Sequence, residues 1–414
     1  MEEKNLPNND FVREQIKDKP KKNKGIWVRL CTSALCGAVF ALAACSVVLM
    51  MKPKLQEGQE TQETQPQETD RETETQMAQV VEPEETEKVK PFSIGDYQQI
   101  QTQLYAIGNE ANHSIVTITS VVSDTDWFNN SYEREGQGSG TIVGDRNGRL
   151  LILTEKKVIK DASEINVTFS DDTIAPAELV KYDGNTGLAV LAVDKEKLED
   201  STLSAIKIMR MGSSNTVHKG SVVIALGSPL GTNYSILTGN ITATNNEIST
   251  ADHNYSVYTT NIVANKNGSG ILINTDGEMV GFVMQSYSAD SASTLTAVNV
   301  SELKPVMELL FHDKAVPYLG LSVSTVTDEI ADKYDIPKGV YVKEVMMDSP
   351  AMEAGLQNGD VIISVAGQEV TSANMYSEVV LELEPKETYP VVIMREGTNG
   401  YKKLTCKVEA GILQ

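Results

Sequence analysis

The sequence predicts a mainly β protein of two folded units, carried behind a membrane-spanning helix and a disordered linker. Three observations carry that expectation. An uncharged apolar run of 22 residues occupies positions 30–51, long enough for a helix to cross a bilayer core. A stretch of Gln, Glu and Thr follows it. Beyond that, short strand-like runs separated by turn residues extend over about 200 residues, ahead of a smaller unit that mixes strands with a helix.

A chain of 414 residues has room for two or three domains. Its formal charge is −21, from 36 basic and 57 acidic residues, which disfavours a nucleic-acid partner because phosphate binding needs a basic face. The acid is concentrated: residues 57–87 hold 11 acidic side chains against Arg71 alone. The remainder is only mildly acidic, so net charge says little about a site. Cys31, Cys36 and Cys45 lie in the apolar run and Cys406 stands alone, while His113, His218, His253 and His312 are scattered. Neither pattern is that of a zinc site. No metal or cofactor is expected.

Lys17, Lys19, Lys21, Lys22, Lys24 and Arg29 precede the apolar run; only Lys52 and Lys54 follow it before the acidic segment. The positive-inside rule therefore places the N-terminus in the cytoplasm and the folded units outside the cell membrane, on a single-pass anchor. Leu42-Ala43-Ala44-Cys45 resembles a lipoprotein cleavage box. Against that reading, the run continues as Ser46-Val47-Val48-Leu49-Met50-Met51, and an uncleaved anchor is favoured. The expected divisions are a cytoplasmic tail at 1–25, a transmembrane helix at 26–52 and an acidic disordered linker at 53–92. Folded units follow at 93–312 and 313–414.

In the first unit Tyr97, Ile100, Leu104 and Ile107 define one face of a short helix. Strands are expected at 114–122, 140–143, 150–153, 165–169, 188–193, 221–226, 236–242, 255–262, 271–274 and 279–284, the signature of a sandwich or a pair of barrels. A helix at 301–311 leads into the second unit, whose own helix is expected at 373–383.

Six motifs in order carry a resemblance: Gly138-Ser139-Gly140-Thr141-Ile142-Val143; Leu151-Ile152-Leu153-Thr154; Ile165 to Asp172; Leu188-Ala189-Val190-Leu191; Ala225-Leu226-Gly227-Ser228-Pro229-Leu230-Gly231; and Asn274-Thr275-Asp276-Gly277-Glu278-Met279-Val280-Gly281. Together they resemble the HtrA/Deg family of trypsin-like serine proteases from about residue 105 to the C-terminus. The resemblance implies a chymotrypsin-like double β-barrel of two six-stranded barrels with an active site between them, then an α+β PDZ domain. It also raises a homotrimer, since family members often trimerise.

The catalytic positions depart from the family pattern. A serine protease needs a base beside its hydroxyl, a carboxylate to orient the base, and amide donors for the oxyanion. Where the family has Thr-Asn-Asn/Ala-His-Val, this chain reads Thr154-Glu155-Lys156-Lys157-Val158, so Lys157 stands at the histidine position. Where the family has Thr-Asp-Leu-Ala-Val, it reads Thr186-Gly187-Leu188-Ala189-Val190, so Gly187 replaces the aspartate. The nucleophile loop reads Lys266-Asn267-Gly268-Ser269-Gly270-Ile271-Leu272-Ile273-Asn274. Counting back from Asn274 puts Gly268 at the serine position; counting forward from Thr260-Asn261 puts Ser269 there. Each histidine is expected at the surface.

In the last unit Tyr318-Leu319-Gly320-Leu321 resembles the carboxylate-binding loop of an HtrA-type PDZ domain, and Ser349-Pro350-Ala351 with Gly359-Asp360-Val361-Ile362 matches its core. A groove beside Tyr376, Val379, Val380 and Leu383 would take a peptide C-terminus or an unfolded protein as an added strand; some of these four side chains are expected to fill the core instead, and Gly359-Asp360 is expected to be a turn. The leading expectation is a degenerate, membrane-anchored peptide-binding pseudoprotease with a quality-control or regulatory role. The alternatives are an active endopeptidase using Ser269 with Lys157 as base, and a PDZ adaptor whose barrels are a spacer.

Overall fold

The computed structural model describes residues 92–125, 131–288 and 293–413, with side chains excepted between 123 and 135. The expected tail, membrane helix and acidic linker lie outside these residues. Among the described residues no helix is long and apolar enough to cross a membrane.

Helix α1 (Ile94–Asn112) starts at Ser93, whose side chain accepts from the Asp96 amide while the Asp96 carboxylate accepts from the Ser93 amide. This reciprocal cap satisfies two donors that a helix start otherwise leaves open. The expected apolar face is buried only in its second half. Leu104 is enclosed, but Tyr97 and Ile100 are exposed. Contact with the barrels begins at Leu104, which joins their shared core, and tightens at Gly108, where a Cβ would lie 2.7 Å from Ile236 Cγ2.

The first sheet contains β1 (Ile115–Thr125), β2 (Ser131–Arg146), β3 (Arg149–Glu155), β4 (Glu164–Thr168), β5 (Ile174–Pro176), β6 (Glu178–Tyr182) and β7 (Leu188–Asp194), in the order β5-β4-β1-β2-β3-β7-β6. Seven strands stand where six were expected. The extra one arises because β5 and β6 are a single chain segment interrupted at Pro176-Ala177, where the Ala177 amide donates to Ile165 O at 2.9 Å. One half pairs with β4 and the other with β7, so the split strand joins the two sheet edges. Helix α2 (Asp200–Ala205) lies in the connection to the second sheet, a closed six-stranded barrel. Its strands are β8 (Val222–Ser228), β9 (Ser235–Ser249), β10 (Asn254–Val263), β11 (Ser269–Ile273), β12 (Met279–Val283) and β13 (Thr294–Asn299), and helix α3 (Val300–Phe311) follows.

Period-two patterning explains how the barrels meet. In β3 and β7, Leu150, Ile152, Ala189, Leu191 and Val193 fill the first barrel, whereas Leu151, Leu153, Leu188, Val190 and Ala192 point the other way. In β8 and β11, Val223, Ala225 and Leu272 fill the second barrel, and Ile224, Leu226, Ile271 and Ile273 point out of it. The outward sets share one core, closed by Val300, Leu303, Val306, Met307 and Leu310 of α3. These strands are buried on both faces and so read as continuous apolar runs rather than alternating ones. Each such side chain, fully enclosed, contributes about 1.5–3 kcal/mol relative to exposure.

The C-terminal unit runs β14 (Pro317–Tyr318), β15 (Leu321–Thr325), α4 (Asp328–Tyr334), β16 (Val340–Val345), α5 (Pro350–Glu353), β17 (Val361–Val365), β18 (Gln368–Glu369), α6 (Ala373–Leu381), β19 (Thr388–Gly397), β20 (Gly400–Glu409) and β21 (Gly411–Ile412). Its main sheet has the order β15-β16-β17-β19-β20, so β15 is an edge strand. Asp360 does more than form the expected turn. It is buried and accepts from Arg395 Nε at 2.7 Å and Nη2 at 2.8 Å. The architecture is thus mainly β: two packed β units, the second a closed six-stranded barrel, followed by a smaller α+β unit.

Candidate functional site

The fold gathers the positions expected to hold a catalytic triad. Glu155, at the end of β3, pairs in register with Leu188 at the start of β7, and the Lys156 amide donates to Gly187 O at 2.7 Å. Lys157 and Gly187 are therefore neighbours across one ladder. Strand β2, next to β3, meets β11 of the other barrel at Ser139 and Ser269.

Each group at this locus is committed elsewhere. Lys157 Nζ lies 2.9 Å from Glu155 Oε1 with its side chain 41% exposed, so it is paired with Glu155 at a partly solvent-exposed position. Burial pushes the Glu155 carboxyl above its ordinary value, outweighing the neighbouring Lys157 charge. Lys156 turns away, its ammonium 3.6 Å from the centre of the Tyr182 ring. Gly187 has φ +78° and open space where a Cβ would stand, so a side chain at this position would not lack room. The nearest acid in the same turn, Asp183, is buried and accepts from the amides of Asn185 and Thr186 and from Thr186 Oγ1 at 2.7 Å. It orients its own turn.

The two alignments of the nucleophile have different physical fates. A Cβ on Gly268 would sit 2.6 Å from Pro229 O and 3.1 Å from Asn265 O, so that position admits no side chain. Ser269 opens β11 and is only 3% exposed. Its Oγ accepts the Ser139 amide at 3.0 Å, and the Ser139 carbonyl accepts from Thr154 Oγ1 at 3.1 Å. Ser269 thus serves as a tie between barrels. Among the described residues no hydrogen bond joins it to Lys157 or to a histidine. The next residue, Gly270, has φ +137°, and a Cβ there would run into the Leu226 carbonyl.

The loop expected to bind a terminal carboxylate already holds a carboxylate of this chain. Gly320 adopts φ +91°, and a Cβ there would collide with Ser349; only glycine permits this approach. The amides of Leu319, Gly320 and Leu321 all converge on one carboxylate, that of Asp252 in the β9–β10 turn, at 2.7, 2.8 and 3.0 Å. The Tyr376 hydroxyl donates to the same group at 2.6 Å. Desolvation by the packed interior, then the Asp252 charge, hold the Tyr376 hydroxyl proton far above the usual tyrosine range. Of the residues expected to form the groove, Tyr318 is half-buried, while Leu319, Tyr376, Val379, Val380 and Leu383 are all buried and belong to the core.

Two expectations about this region need correction. His253 is not a surface residue: it is 6% exposed and stacks on Tyr255 with ring centroids 5.7 Å apart, because the turn that carries it is covered by the C-terminal unit. Burial holds its imidazole below the ordinary range despite the nearby Asp252 and Asp183 charges. The loop amides are also not free, because Asp252 holds them. Asp252 escaped notice because its partners lie 67–69 and 124 positions away and no local motif marks it. Among the described residues no cluster of three or more His, Cys, Asp or Glu is arranged to hold a metal ion.

Comparison with known proteins agrees with this fold. Residues 138–282 match the trypsin-like peptidase domain family, and residues 317–408 match the PDZ domain family. The serine protease Do-like HtrA of Bacillus subtilis is 30% identical over 290 residues, which make up 65% of this chain and 63% of the relative. A probable periplasmic serine endoprotease, DegP-like, of Halomonas elongata is 30% identical over 273 residues, 64% of this chain and 55% of the relative. The chain thus spans less than two thirds of the length of these curated relatives. Among solved structures, the HtrA-type protease AlgW with decapeptide aligns at a TM-score of 0.53 and 24% identity, covering 75% of this chain and 98% of that one. That likeness bears on the fold alone.

Proposed function

Because this chain is a homologue of the HtrA/DegP serine proteases, with a trypsin-like peptidase domain followed by a PDZ domain, we propose that it is a non-hydrolytic peptide receptor. In this reading it is a membrane-tethered pseudoprotease that binds peptide C-termini or unfolded protein outside the cell membrane, in protein quality control or its regulation. One observation carries the proposal: the hydroxyl of Ser269 is enclosed and already holds the Ser139 amide. A hydroxyl acts as a nucleophile only where a base can take its proton and a substrate carbonyl can reach it. Lys157 is tied to Glu155, and Gly187 offers no carboxylate to orient any substitute. The altered turn at Gly268 and Gly270 adds a further loss, since one oxyanion donor is worth roughly 10²–10³ in rate.

The anchor rests on the 22-residue apolar run and the lysine excess before it. The PDZ loop supplies the receptor chemistry, because convergent backbone amides suit a terminal carboxylate. A mere spacer role for the barrels is disfavoured by the hydrogen bonds between Asp252 and the loop.

The test is fluorophosphonate labelling and casein digestion by residues 92–414, with Ser269→Ala as control. The expected result is no label and intact casein. Labelling abolished by both Ser269→Ala and Lys157→Ala would instead establish an active dyad. Topology is read separately: protease added to spheroplasts should cut within residues 55–90 and release the folded part. Protection of that segment would overturn the orientation, and lipid labelling lost in Cys45→Ser would establish lipoprotein processing.

A further inference from the structure

The contacts of Asp252 reproduce those a bound peptide would need. Its carboxylate takes the three loop amides, the place of a terminal carboxylate. Its own amide donates to Leu321 O at 2.7 Å, the main-chain bond by which an added strand joins the β15 edge. Its carbonyl accepts from Ser377 Oγ at 2.7 Å and its carboxylate from Tyr376, so it also touches α6, the opposite wall. The residue is 1% exposed and sits at φ +61°, a left-handed conformation that aspartate tolerates better than most residues. Neighbouring residues follow the strand edge: Asn254 Nδ2 donates to Val323 O at 3.3 Å, and the Ser249 and Ser322 hydroxyls lie 3.1 Å apart.

We propose that the β9–β10 turn is a built-in competitor for the peptide groove. Asp252 is an internal stand-in for a C-terminal residue, and an incoming peptide with a free carboxylate binds only by displacing it. The proposal rests on the peptide-receptor reading above and adds how that receptor is regulated. Each loop amide has one proton to donate, and the site is closed to water, so Asp252 and a peptide terminus exclude one another. The apparent affinity for peptide is therefore the intrinsic affinity scaled by the fraction of molecules in which the turn is released.

Release has a second consequence. Asn185 brackets the same turn, with Nδ2 donating to Ala251 O at 2.7 Å and Oδ1 accepting the Ala251 amide at 3.1 Å. Asn185 belongs to the turn that ends at Gly187, which packs against the Lys156 amide. Release of the turn therefore frees the Asn185 side chain from both of its bonds to Ala251.

The test uses the full chain in detergent and a fluorescent peptide with an apolar C-terminal residue, in free-acid and amidated forms. Wild type is compared with Asp252→Ala and with Ser249→Cys/Ser322→Cys, whose oxidation locks the turn onto β15 while keeping Asp252 in place. The expected result is an acid-peptide affinity at least about tenfold higher in Asp252→Ala than in wild type, with the amide form unchanged. The oxidised double variant should lose acid-peptide binding and regain it on reduction. Hydrogen exchange of residues 316–324 reports loop occupancy independently, and should be faster in Asp252→Ala. Equal acid-peptide affinity in wild type and Asp252→Ala, or in locked and reduced forms, would overturn the competitor and leave the receptor intact. Unchanged exchange would overturn it too. Faster exchange without preference for the acid peptide in any form would remove the receptor reading itself, and the competitor with it.

Discussion

Replacing Ser269 by alanine separates a structural hydroxyl from a catalytic one. The wild-type Oγ accepts the Ser139 amide at 3.0 Å in a position only 3% exposed. Deleting it leaves a buried N–H without an acceptor, and a penalty of about 1–3 kcal/mol follows. The neighbouring hydroxyl supplies an internal control. Ser139 Oγ is buried at the same junction with no hydrogen-bond partner among the described residues, so Ser139→Ala removes that polar atom and keeps the amide bond. Its effect should be within about 0.5 kcal/mol of zero, or slightly stabilising. Urea unfolding of residues 92–414, followed by circular dichroism, gives both values from the shift in midpoint at constant slope. The reasoning fails if the two variants are equally stable, or if Ser269→Ala is neutral and wild-type Ser269 takes a fluorophosphonate label. Either result would mean that the hydroxyl is free of the Ser139 amide.

Three further outcomes are expected. Gly270→Ala should cost more than about 3 kcal/mol, read as loss of soluble folded protein or a large fall in urea midpoint, because its φ is +137° and the new Cβ meets the Leu226 carbonyl. Glu155→Gln should be more stable than wild type near pH 7. Burial raises the Glu155 pKa, so its favourable contribution belongs to the protonated state and is lost as pH rises through the raised value; the difference should shrink below the ordinary value of 4.5 in a pH series of melts. His253→Phe should flatten the acid side of the stability profile: the wild-type imidazole is held below its ordinary 6.5, so its contribution is present above that pH and is lost as pH falls through the lowered value, while phenylalanine keeps the stack on Tyr255 and cannot charge. A parallel acid slope in both proteins would remove His253 as its cause.

Much of the barrel architecture is legible along the chain because strand character is local, written in short apolar runs bounded by turn residues. Leu188 to Val193 reads as a buried strand whether or not its partners are known, and all of it is buried. The short strands β5 and β6 and the strand β13 escaped that reading. Ile174–Pro176 is three residues long and ends in proline, and Glu178–Tyr182 is mostly polar or partly exposed. The helix at 94–112 shows the opposite error. Its periodicity marks a face but not how far the surface beneath it extends, and Tyr97 and Ile100 are left exposed.

The departures at the expected triad positions are a reading of the sequence alone. Lys157 and Gly187 are the residues that stand between flanking positions matching the family pattern, and that comparison needs no folded structure. What becomes of the remaining serine was decided only in three dimensions. Ser269 and its partner Ser139 are 130 positions apart, and nothing near either residue reveals that the barrels bring the hydroxyl onto that amide. The same holds for Asp252, an ordinary turn residue by every local measure, whose carboxylate meets three amides and a tyrosine of another unit. Local sequence sets which backbone conformations and faces are available. Hydrogen-bond partners separated by a hundred residues are set by where packing brings the elements together, and that is a property of the assembled core.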